Sequence, residues 1–305
     1  MEHERSAARR SSWEQTMRDD WDERVRGDLR YICWNDDGWN TDGDLGAFYE
    51  EGKAHAITLT SPALERSSFR ASGKRMLELG CGIGRLFPGF HALGFGEIWG
   101  VDVSPTMIER GLALCRIREA KFVLGNGYDL SGLPDGYFDF CFSYNVLGYV
   151  PNDQIALGYL PEVYRVLKPG GLFQLHLRKS IPLKARTLIA LPGAIRPHVR
   201  AAYHAVSRIS ERLRRRPDAR ATVKQPTAFL GNLKTWHGAT LSPRRVVRRL
   251  GELGCVEIDV LADESPRTDG SFFWVLGQKS RRVMIQVGPA IPRLPLGKPG
   301  TVGSV

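Results

Sequence analysis

The sequence predicts an α/β fold in which a mostly parallel sheet of seven strands is covered by helices on both faces. Two observations support this expectation. From residue 74 onward, short apolar runs bounded by glycine alternate with helical stretches, which is the rhythm of a parallel sheet covered by helices. The chain also has 305 residues, 42% of them hydrophobic, which is enough material for one large domain with a substantial core.

The apolar runs place the strands, and the patterns between them place the helices. Strands are expected at residues 75–79, 97–103, 121–125, 138–144, 171–178, 255–263 and 271–280, the last two as an antiparallel pair. Helices are expected at residues 11–26, 44–66, 104–118, 153–167 and 242–254, with a further turn and helix over 81–94. Ser104 and Ser242 each precede a proline, as is typical of a helix start, and the LKPGG sequence at 167–171 should end a helix.

These patterns divide the chain into five segments. They are an N-terminal helical cap segment at 1–70, a core at 71–180, a basic helical insertion at 181–239, the C-terminal part of the core sheet at 240–282 and a tail rich in proline and glycine at 283–305. The insertion is expected because the alternation of strands and helices stops after residue 180. An apolar stripe at helical spacing, from Val199 to Leu213, predicts a helix within it.

Positive charge is concentrated in and around this insertion. The net charge of the chain is +10, and residues 178–250 hold 18 lysines and arginines but only two acids. The simplest interpretation is the solvated basic face of a packed helix. The first alternative is a cap that meets an anionic substrate. The second is an RNA partner, because basic side chains neutralise phosphates.

The spacing of the cysteines and the lengths of the apolar runs indicate in which compartment the protein is expected. The five cysteines are odd in number and widely spaced, without a C-x-x-C pair, so neither a disulfide framework nor a structural zinc site is expected. No apolar run reaches the roughly 18 residues of a membrane-spanning helix. The polar N-terminal sequence also lacks the apolar segment of a secretory signal, so a cytoplasmic location is expected.

A glycine-rich loop follows the first strand of the core. Its sequence is LELGCGIG, in which Glu78 precedes glycines at positions 80, 82 and 84. Glycines allow a sharp turn and a close approach of the backbone to a ligand, and the following helix offers free N–H groups. The third glycine comes one residue earlier than in the dinucleotide fingerprint, which argues against NAD or FAD. The acid before the loop would repel a pyrophosphate but would favour an ammonium group.

Two further strand ends carry residues that suit an adenosine ligand. Asp102 ends the second strand, where a carboxylate can accept hydrogen bonds from both hydroxyls of a ribose. Its alternative role is a charge at the N-terminus of the next helix. Gly125, Asn126 and Gly127 follow the third strand, where the asparagine is able to accept from an adenine amino group. An ordinary turn explains this tripeptide nearly as well.

Taken in order, these motifs resemble those of the class I S-adenosylmethionine-dependent methyltransferases. LELGCGIG is similar to the first motif of that family and VDVS to the second, and GNGYDLSGLPDGYFDFCFSYNVLGYVP is similar to its adenine loop and fourth strand. YRVLKPGGLFQLHL is similar to the segment that leads through its fifth strand. The resemblance covers roughly residues 70–180 and resumes at about 235–280. It implies a Rossmann-like fold, S-adenosylmethionine as the cofactor and methyl transfer as the activity.

The resemblance also implies a role for each matching residue. The implied cofactor-binding residues are Glu78, Gly80, Gly82, Gly84, Asp102, Val103, Asn126, Gly127 and Asn145. The three glycines of the loop would pass close to the methionine and ribose portions of the cofactor. Glu78 would hold its amino acid end, Asp102 its ribose hydroxyls, and Asn145 would face the methyl donor. Val103 would lie beside the adenine, and Asn126 stands where the family often has aspartate.

The catalytic groups are harder to assign, because many members of that family carry histidine where Tyr149 stands. Methyl transfer from a sulfonium is an in-line displacement, and a hydroxyl or amine nucleophile also needs a base. The candidates near the strand ends are Tyr144, Tyr149, His176 and His237. We expect Tyr149 and His237 to border the substrate, with Trp236 as an apolar wall. The alternatives are a packing role for Tyr149 on the next helix and a surface loop position for His237. His176 is expected to be a core histidine because it alternates with leucines on a central strand.

Missing motifs narrow the substrate. The fourth strand leads into SYNVLGYVP rather than into the Asn/Asp-Pro-Pro-aromatic motif of exocyclic-amine nucleobase methyltransferases, and no Pro-Cys dipeptide offers a cytosine-attacking thiolate. The expected function is therefore methyl transfer to an unidentified small molecule. The first alternative is an RNA-modifying enzyme that uses residues 178–250, and the second is a cofactor-binding interaction protein without catalysis.

Overall fold

The structure is a computed structural model that describes residues 15–23, 45–180, 238–263 and 271–281. The expectations for most of the basic insertion and for the tail lie outside these ranges, so neither is tested. Within the described ranges, no helix is both long enough and apolar enough to cross a membrane.

Helices and strands alternate along the described chain. The helices are α1 (15–23), α2 (Leu45–Arg66), α3 (Phe87–Ala92), α4 (Pro105–Leu114), α5 (Asp153–Val166) and α6 (Pro243–Glu252). The strands are β1 (Arg75–Leu79), β2 (Glu97–Asp102), β3 (Ala120–Leu124), β4 (Phe138–Ser143), β5 (Leu167–Arg178), β6 (Cys255–Ala262) and β7 (Phe272–Lys279). The side chain of Ser104 accepts a hydrogen bond from the N–H of Met107 at 3.1 Å, which confirms the predicted start of α4.

The strands form one sheet in the order β3-β2-β1-β4-β5-β7-β6. β7 runs antiparallel to its neighbours β5 and β6, and all other neighbouring strands are parallel. This confirms the Rossmann-like α/β sheet of seven strands that the sequence predicts. The chain changes direction across the sheet between β1 and β4. The carboxyl ends of β1, β2 and β4 therefore border the crevice where ligands bind in sheets of this kind.

β5 begins four residues earlier than the sequence predicts. Its first residue is Leu167, so the LKPGG sequence starts a strand as well as ending α5. Regular pairing with β4 nevertheless resumes only at Leu172. The pairing is interrupted because Pro169 has no N–H to donate and Gly170 adopts a positive φ of 79°.

Each face of the sheet has its own apolar core. On the face covered by α2 and α3, the largest fully buried side chains are phenylalanines, and the rings of Phe95 and Phe140 stack at 5.5 Å. On the other face, Val163 of α5 and Val246 and Leu250 of α6 are completely buried. Burying one such side chain contributes about 1.5–3 kcal/mol, so both layers of helices are held mainly by apolar packing.

A charged cluster lies at the amino edge of the sheet, where β2 begins. Glu97 accepts hydrogen bonds from Lys121 Nζ at 2.7 Å and Trp99 Nε1 at 2.7 Å. It also accepts from the Tyr137 hydroxyl at 3.0 Å and pairs with Arg75 at 3.2 Å. Burial alone would raise the pKa of Glu97, but these donors outweigh burial and lower that pKa to about 2. The cluster lies at the opposite edge from the glycine-rich loop and stabilises the sheet.

Candidate functional site

The glycine-rich loop connects β1 to α3 in a conformation that side chains disfavour. Gly80, Gly82 and Gly84 have positive φ values of 70°, 54° and 78°. A Cβ added to Gly80 would also lie only 2.1 Å from Cγ2 of Val146, in the segment that follows β4. Position 80 therefore needs glycine both for its backbone conformation and for the close approach of that segment.

Helix α2 packs directly against the glycine-rich loop. The hydroxyl of Tyr49 donates to the carbonyl oxygen of Ile83 at 3.1 Å. A Cβ added to Gly52 of α2 would lie 2.1 Å from the carbonyl oxygen of Arg85, so the helix and the loop are in direct backbone contact. α2 is therefore part of the wall of the site.

Asp102 joins the loop to the end of β2. Its Oδ2 accepts from the N–H of Gly82 at 2.9 Å, and its Oδ1 accepts from the N–H of Ser104 at 3.0 Å. Burial raises the pKa of Asp102 although these backbone donors oppose the shift. Each carboxylate oxygen has a second lone pair, so the side chain can accept from the two hydroxyls of a ribose.

Glu78 is a buried acid with an unsatisfied oxygen. It lies one residue before the end of β1 and is 3% exposed. Among the described residues, its Oε2 has no hydrogen-bond partner. Burial raises the pKa of Glu78 well above its usual range, and the nearby Arg85 guanidinium only partly opposes the shift. A buried oxygen without a partner costs about 1–3 kcal/mol, and a bound ammonium group would remove that cost.

Asn145 shows the same kind of feature two residues beyond β4. It adopts a positive φ of 56°, which is uncommon outside glycine. Its Oδ1 is buried and has no hydrogen-bond partner among the described residues. Strain and an unsatisfied polar atom at one residue are typical of a functional site.

The turn after β3 uses its asparagine internally. The amide oxygen of Asn126 accepts from the N–H groups of Tyr128 and Asp129, each at 3.0 Å, and its amide nitrogen donates to Asp129 Oδ1 at 2.6 Å. The side chain therefore holds a turn, which is the alternative that the sequence leaves open. Gly127 follows with a positive φ of 85°.

α1 packs against the same corner of the sheet. A Cβ added to Gly127 would lie 2.1 Å from the Cε atom of Met17 and 3.2 Å from a methyl group of Val103. Ser104 Oγ donates to the buried carboxylate of Asp22. α1 therefore borders the strand ends that were predicted to bind adenosine.

Comparisons with known proteins agree with this geometry. The family described as "Methyltransferase domain" matches residues 77–175, from β1 into β5. Residues 77–175 of the chain therefore form a methyltransferase domain of the class I S-adenosylmethionine-dependent type. A probable methyltransferase of Aspergillus luteorubrus is 34% identical over 106 residues, which are 32% of this chain and 37% of that protein. A 2-methyl-6-phytyl-1,4-hydroquinone methyltransferase of Synechocystis is 33% identical over 104 residues, which are 33% of this chain and 30% of that protein.

A solved structure has a similar fold over more of the chain than the residues that the family model matches. Magnesium protoporphyrin IX methyltransferase from Synechocystis, with bound SAH, has a TM-score of 0.52 at 15% identity, covering 87% of this chain and 98% of that chain. This likeness concerns the fold alone. The matches to the two curated relatives span only about a third of their length, so they identify the domain and not the activity of the whole protein.

Of the residues expected to border the substrate of the methyltransferase domain, Tyr149 lies in the described part. It follows β4, its side chain is half-buried, and its N–H donates to the carbonyl oxygen of Val146 at 2.8 Å. Its ring lies 6.4 Å from that of Phe272 in β7. His237 and Trp236 lie outside the described residues, so their positions stay predictions.

The fold also brings together a row of side chains that lie far apart in the sequence. Arg85 of the loop lies 3.0 Å from Nδ1 of His55 in α2, and the His55 ring is edge-on to Tyr144 at 5.0 Å. Tyr144 lies 5.0 Å from the ring of His176 in β5. Nε2 of His176 lies 3.2 Å from Oδ2 of Asp263, directly after β6. We refer to His55, Tyr144, His176 and Asp263 as the histidine cluster.

His176 is fully buried, as expected of a core histidine, but it is not fully hydrogen-bonded. Its Nδ1 has no partner among the described residues. The sequence could have indicated the pair with Asp263 only if the strand order β5-β7-β6 had been known, because 86 residues separate the two positions.

The described residues hold no cluster of three or more histidines, cysteines or acids arranged to bind a metal ion. The four cysteines in this part of the chain, Cys81, Cys115, Cys141 and Cys255, are free thiols. Burial raises the pKa values of all four, so they are poor thiolate nucleophiles.

Proposed function

We propose that the chain binds S-adenosylmethionine at the carboxyl ends of β1, β2 and β4 and transfers its methyl group to an unidentified small molecule by in-line displacement. The observation that carries the proposal is the set of oxygens at these ends. Glu78 and Asn145 each hold a buried oxygen without a partner among the described residues, and Asp102 holds a carboxylate. Such a set fits a ligand that has an ammonium group and a ribose. When bound, this cofactor supplies a methyl group activated by a sulfonium sulfur.

The methionine portion of the cofactor is assigned to the loop and to the segment after β4. Glu78 would hold the amino group, because a cation beside this buried acid favours its ionised form. The backbone of Gly80, Gly82 and Gly84 would pass along the same portion. Asn145 would present its amide oxygen, which has no partner in the described part of the chain, toward the methionine end beside the methyl donor.

The adenosine portion is assigned to the ends of β2 and β3. Asp102 would accept hydrogen bonds from the ribose hydroxyls, and Val103 and Gly127 would border the adenine. Asn126 would shape this border by holding the turn. Since its amide oxygen already accepts two hydrogen bonds, an adenine amino group would have to compete with the backbone for that oxygen.

A small-molecule acceptor would enter on the side of Asn145 that faces away from the cofactor. Tyr149 and His237 are proposed to border it, with Trp236 as an apolar wall. The position of the half-buried Tyr149 after β4 supports its part in this proposal. The hydroquinone methyltransferase among the relatives acts on a small molecule by its name, which supports this class of acceptor. Alignment of acceptor, methyl group and sulfur would be the main contribution of the protein.

An RNA acceptor is the second candidate because α6 exposes four arginines, at positions 244, 245, 248 and 249. Arg245 pairs with Asp153 at 2.7 Å and Arg249 with Glu252 at 3.3 Å, so acids neutralise part of this charge. Gel-shift titrations against bulk RNA at low and moderate salt distinguish the candidates. Tight binding that falls steeply with salt would favour RNA, and no binding would favour the small molecule.

The proposed function is tested by binding and turnover measured on the same preparation. Calorimetry should show that the protein binds S-adenosylmethionine and S-adenosylhomocysteine. Methyl-labelled S-adenosylmethionine should then yield labelled product with a pool of small phenols, amines and carboxylates. Binding without release of S-adenosylhomocysteine from any pool would support the non-catalytic alternative. Absence of cofactor binding would contradict the proposal.

A further inference from the structure

The histidine cluster lies at the same edge of the sheet as the proposed methyl donor. Leu175 of β5 is paired with Ser143, the last residue of β4. His176 is therefore level with Tyr144, and Asn145 follows directly along the chain. The ring centroids of His176 and Tyr144 are 5.0 Å apart. The cluster thus stands beside the residue that faces the methyl donor in the proposed function.

Hydrogen bonding leaves His176 with one basic nitrogen. Its Nε2 lies 3.2 Å from Oδ2 of Asp263, whose side chain is 3% exposed. An ionised carboxylate only accepts hydrogen bonds, so the shared hydrogen is assigned to Nε2 and Nδ1 keeps its lone pair. Within the described ranges this buried Nδ1 has no hydrogen-bond partner. Burying an unpaired nitrogen is unfavourable, which points to a ligand or a proton that reaches it.

Aromatic rings surround this imidazole. Phe272 stacks on it at 4.7 Å with an interplanar angle of 11°, and Trp274 lies at 4.5 Å. Trp274 also stacks on Tyr144 at 5.6 Å. Such surroundings suit a planar, apolar acceptor better than a polyanion, because the side chains around His176 are mostly aromatic and carry few polar groups.

His55 and Tyr144 connect this buried site to the surface. Both are half-buried, whereas His176 has no exposed surface. A guanidinium only donates, so Arg85 uses the Nδ1 lone pair of His55, which leaves His176 as the histidine of the cluster with an unused lone pair among the described residues. An acceptor that displaces or passes the ring of Tyr144 would therefore meet His176 at the inner end of the cluster.

We propose that His176, oriented by Asp263, is the general base of the methyl transfer, and that the methyl acceptor is a hydroxyl or amine on a planar apolar scaffold, such as a phenol. This rests on the proposed function. The O–H bond of the acceptor breaks and its proton moves to Nδ1, while an oxygen electron pair forms the bond to the methyl carbon. The electrons of the methyl–sulfur bond leave with the sulfur. The carboxylate of Asp263 stabilises the imidazolium that results.

The test uses 4-nitrophenol as a probe, because its phenolate absorbs visible light and its phenol form does not. The probe is added to the complex with S-adenosylhomocysteine at a pH below the pKa of free 4-nitrophenol. The wild-type complex should hold the probe as the phenolate, with the proton on His176. His176→Phe keeps an aromatic ring but removes the base, so the bound probe should stay protonated. His91→Phe is the matched control, because His91 is exposed and lies 3.8 Å from Glu119 on the surface.

The rate of methylation and the tautomer of His176 provide two further, independent tests of the proposal. With S-adenosylmethionine, methylation of the phenol should fall about a hundredfold to ten-thousandfold in His176→Phe. In Asp263→Asn it should fall at least about tenfold, because the amide no longer stabilises the imidazolium. Long-range proton–nitrogen NMR of nitrogen-15 histidine-labelled protein should show hydrogen on Nε2 of His176 in the free wild-type protein.

Three results would overturn the inference while leaving the proposed function intact. They are equal ionisation of the probe in wild type and His176→Phe, no uptake of the probe by the wild-type complex, and hydrogen on Nδ1 in the free protein. Failure of S-adenosylhomocysteine to bind would instead overturn the proposed function, and this inference with it. Calorimetry on the same samples separates the two kinds of failure.

Discussion

The proposed site has two halves that are built differently. In the cofactor half, the loop at 78–84 and Asp102 are close in sequence, and the bonds between them use backbone N–H groups, such as that of Gly82 at 2.9 Å. In the acceptor half, the histidine cluster draws side chains from α2, from the ends of β4 and β5 and from the residue after β6. The first half is a property of one βαβ unit, and the second is a property of the whole sheet.

This difference explains which half leaves a signal in the sequence. A backbone that must turn sharply needs glycines at fixed positions, so the three glycines at 80, 82 and 84 reveal the loop without any knowledge of the fold. Side chains that come together from distant strands, in contrast, do not require any fixed spacing between their positions in the sequence. The cofactor half should accordingly be sensitive to any added side chain, and the acceptor half to the chemistry of a few side chains.

The largest effect is expected for Gly80→Ala in the cofactor half. The added Cβ would lie 2.1 Å from Val146 at a φ of 70°, so both a clash and backbone strain oppose it. The free energy of unfolding should fall by about 2–4 kcal/mol, and cofactor affinity should fall with it. Denaturant titration measures the first quantity and calorimetry the second.

Gly73→Ala is the matched control. Gly73 has almost the same φ, 69°, but an added Cβ would meet nothing within 4 Å. Only the strain of the backbone remains, which costs about 1 kcal/mol. Equal losses in the two variants would show that the close approach of the segment after β4 does not constrain the loop.

The second effect concerns the pH dependence of cofactor affinity. Burial raises the pKa of Glu78 in the free protein, with Arg85 opposing and Asp102 adding to the shift. The ammonium group of the cofactor would favour the ionised carboxylate, so binding should release a proton. Affinity for S-adenosylhomocysteine should therefore rise with pH, by up to about tenfold per unit, until the raised pKa is passed.

Glu78→Gln should bind more weakly and without this rise, because the amide does not titrate. Calorimetry in buffers of different ionisation enthalpy counts the protons released by each protein. A wild-type affinity that does not change with pH would remove the proposed contact between Glu78 and the amino group.

The smallest effect is expected for Glu97→Gln, which lies outside both halves at the amino edge of the sheet. The pKa of Glu97 is lowered to about 2, so its stabilising contribution is present above the unfolded value near 4.3 and is lost as the pH falls toward 2. The substitution should cost about 1–2 kcal/mol at neutral pH and reduce this loss in acid. Urea unfolding at several pH values measures the free energy of unfolding of both proteins. An unchanged cofactor affinity in Glu97→Gln would confirm that the cluster acts on stability alone.

Much of the fold follows from local sequence patterns. The strand at 75–79 has the predicted bounds, and Ser104 caps α4 as expected, because alternation and capping act over a few residues. The start of β5 was missed because proline and glycine at positions 169 and 170 indicate a break, although Leu167 still pairs with β4. Local propensity was outweighed there by pairing across the sheet.

The site was predicted unevenly for the same reason. The glycine-rich loop and the carboxylate of Asp102 occupy the strand ends where the sequence places them. Asp263 reaches Nε2 of His176 across β7, which leaves Nδ1 without a partner among the described residues, and no short motif encodes that contact. A leucine–histidine–leucine alternation predicts a buried strand whether or not the histidine takes part in the reaction.

The measurement that most directly tests the central claim is calorimetric titration of S-adenosylmethionine into wild type, Asp102→Ala and a control, Asp135→Ala. Asp135 is 77% exposed and pairs with Arg165 on the surface, away from the loop. Asp102→Ala should weaken binding by about 1.5–3 kcal/mol, through lost charge-assisted hydrogen bonds, and the control should bind as wild type does. Wild-type affinity in Asp102→Ala would contradict the assignment of the cofactor to the carboxyl ends of these strands.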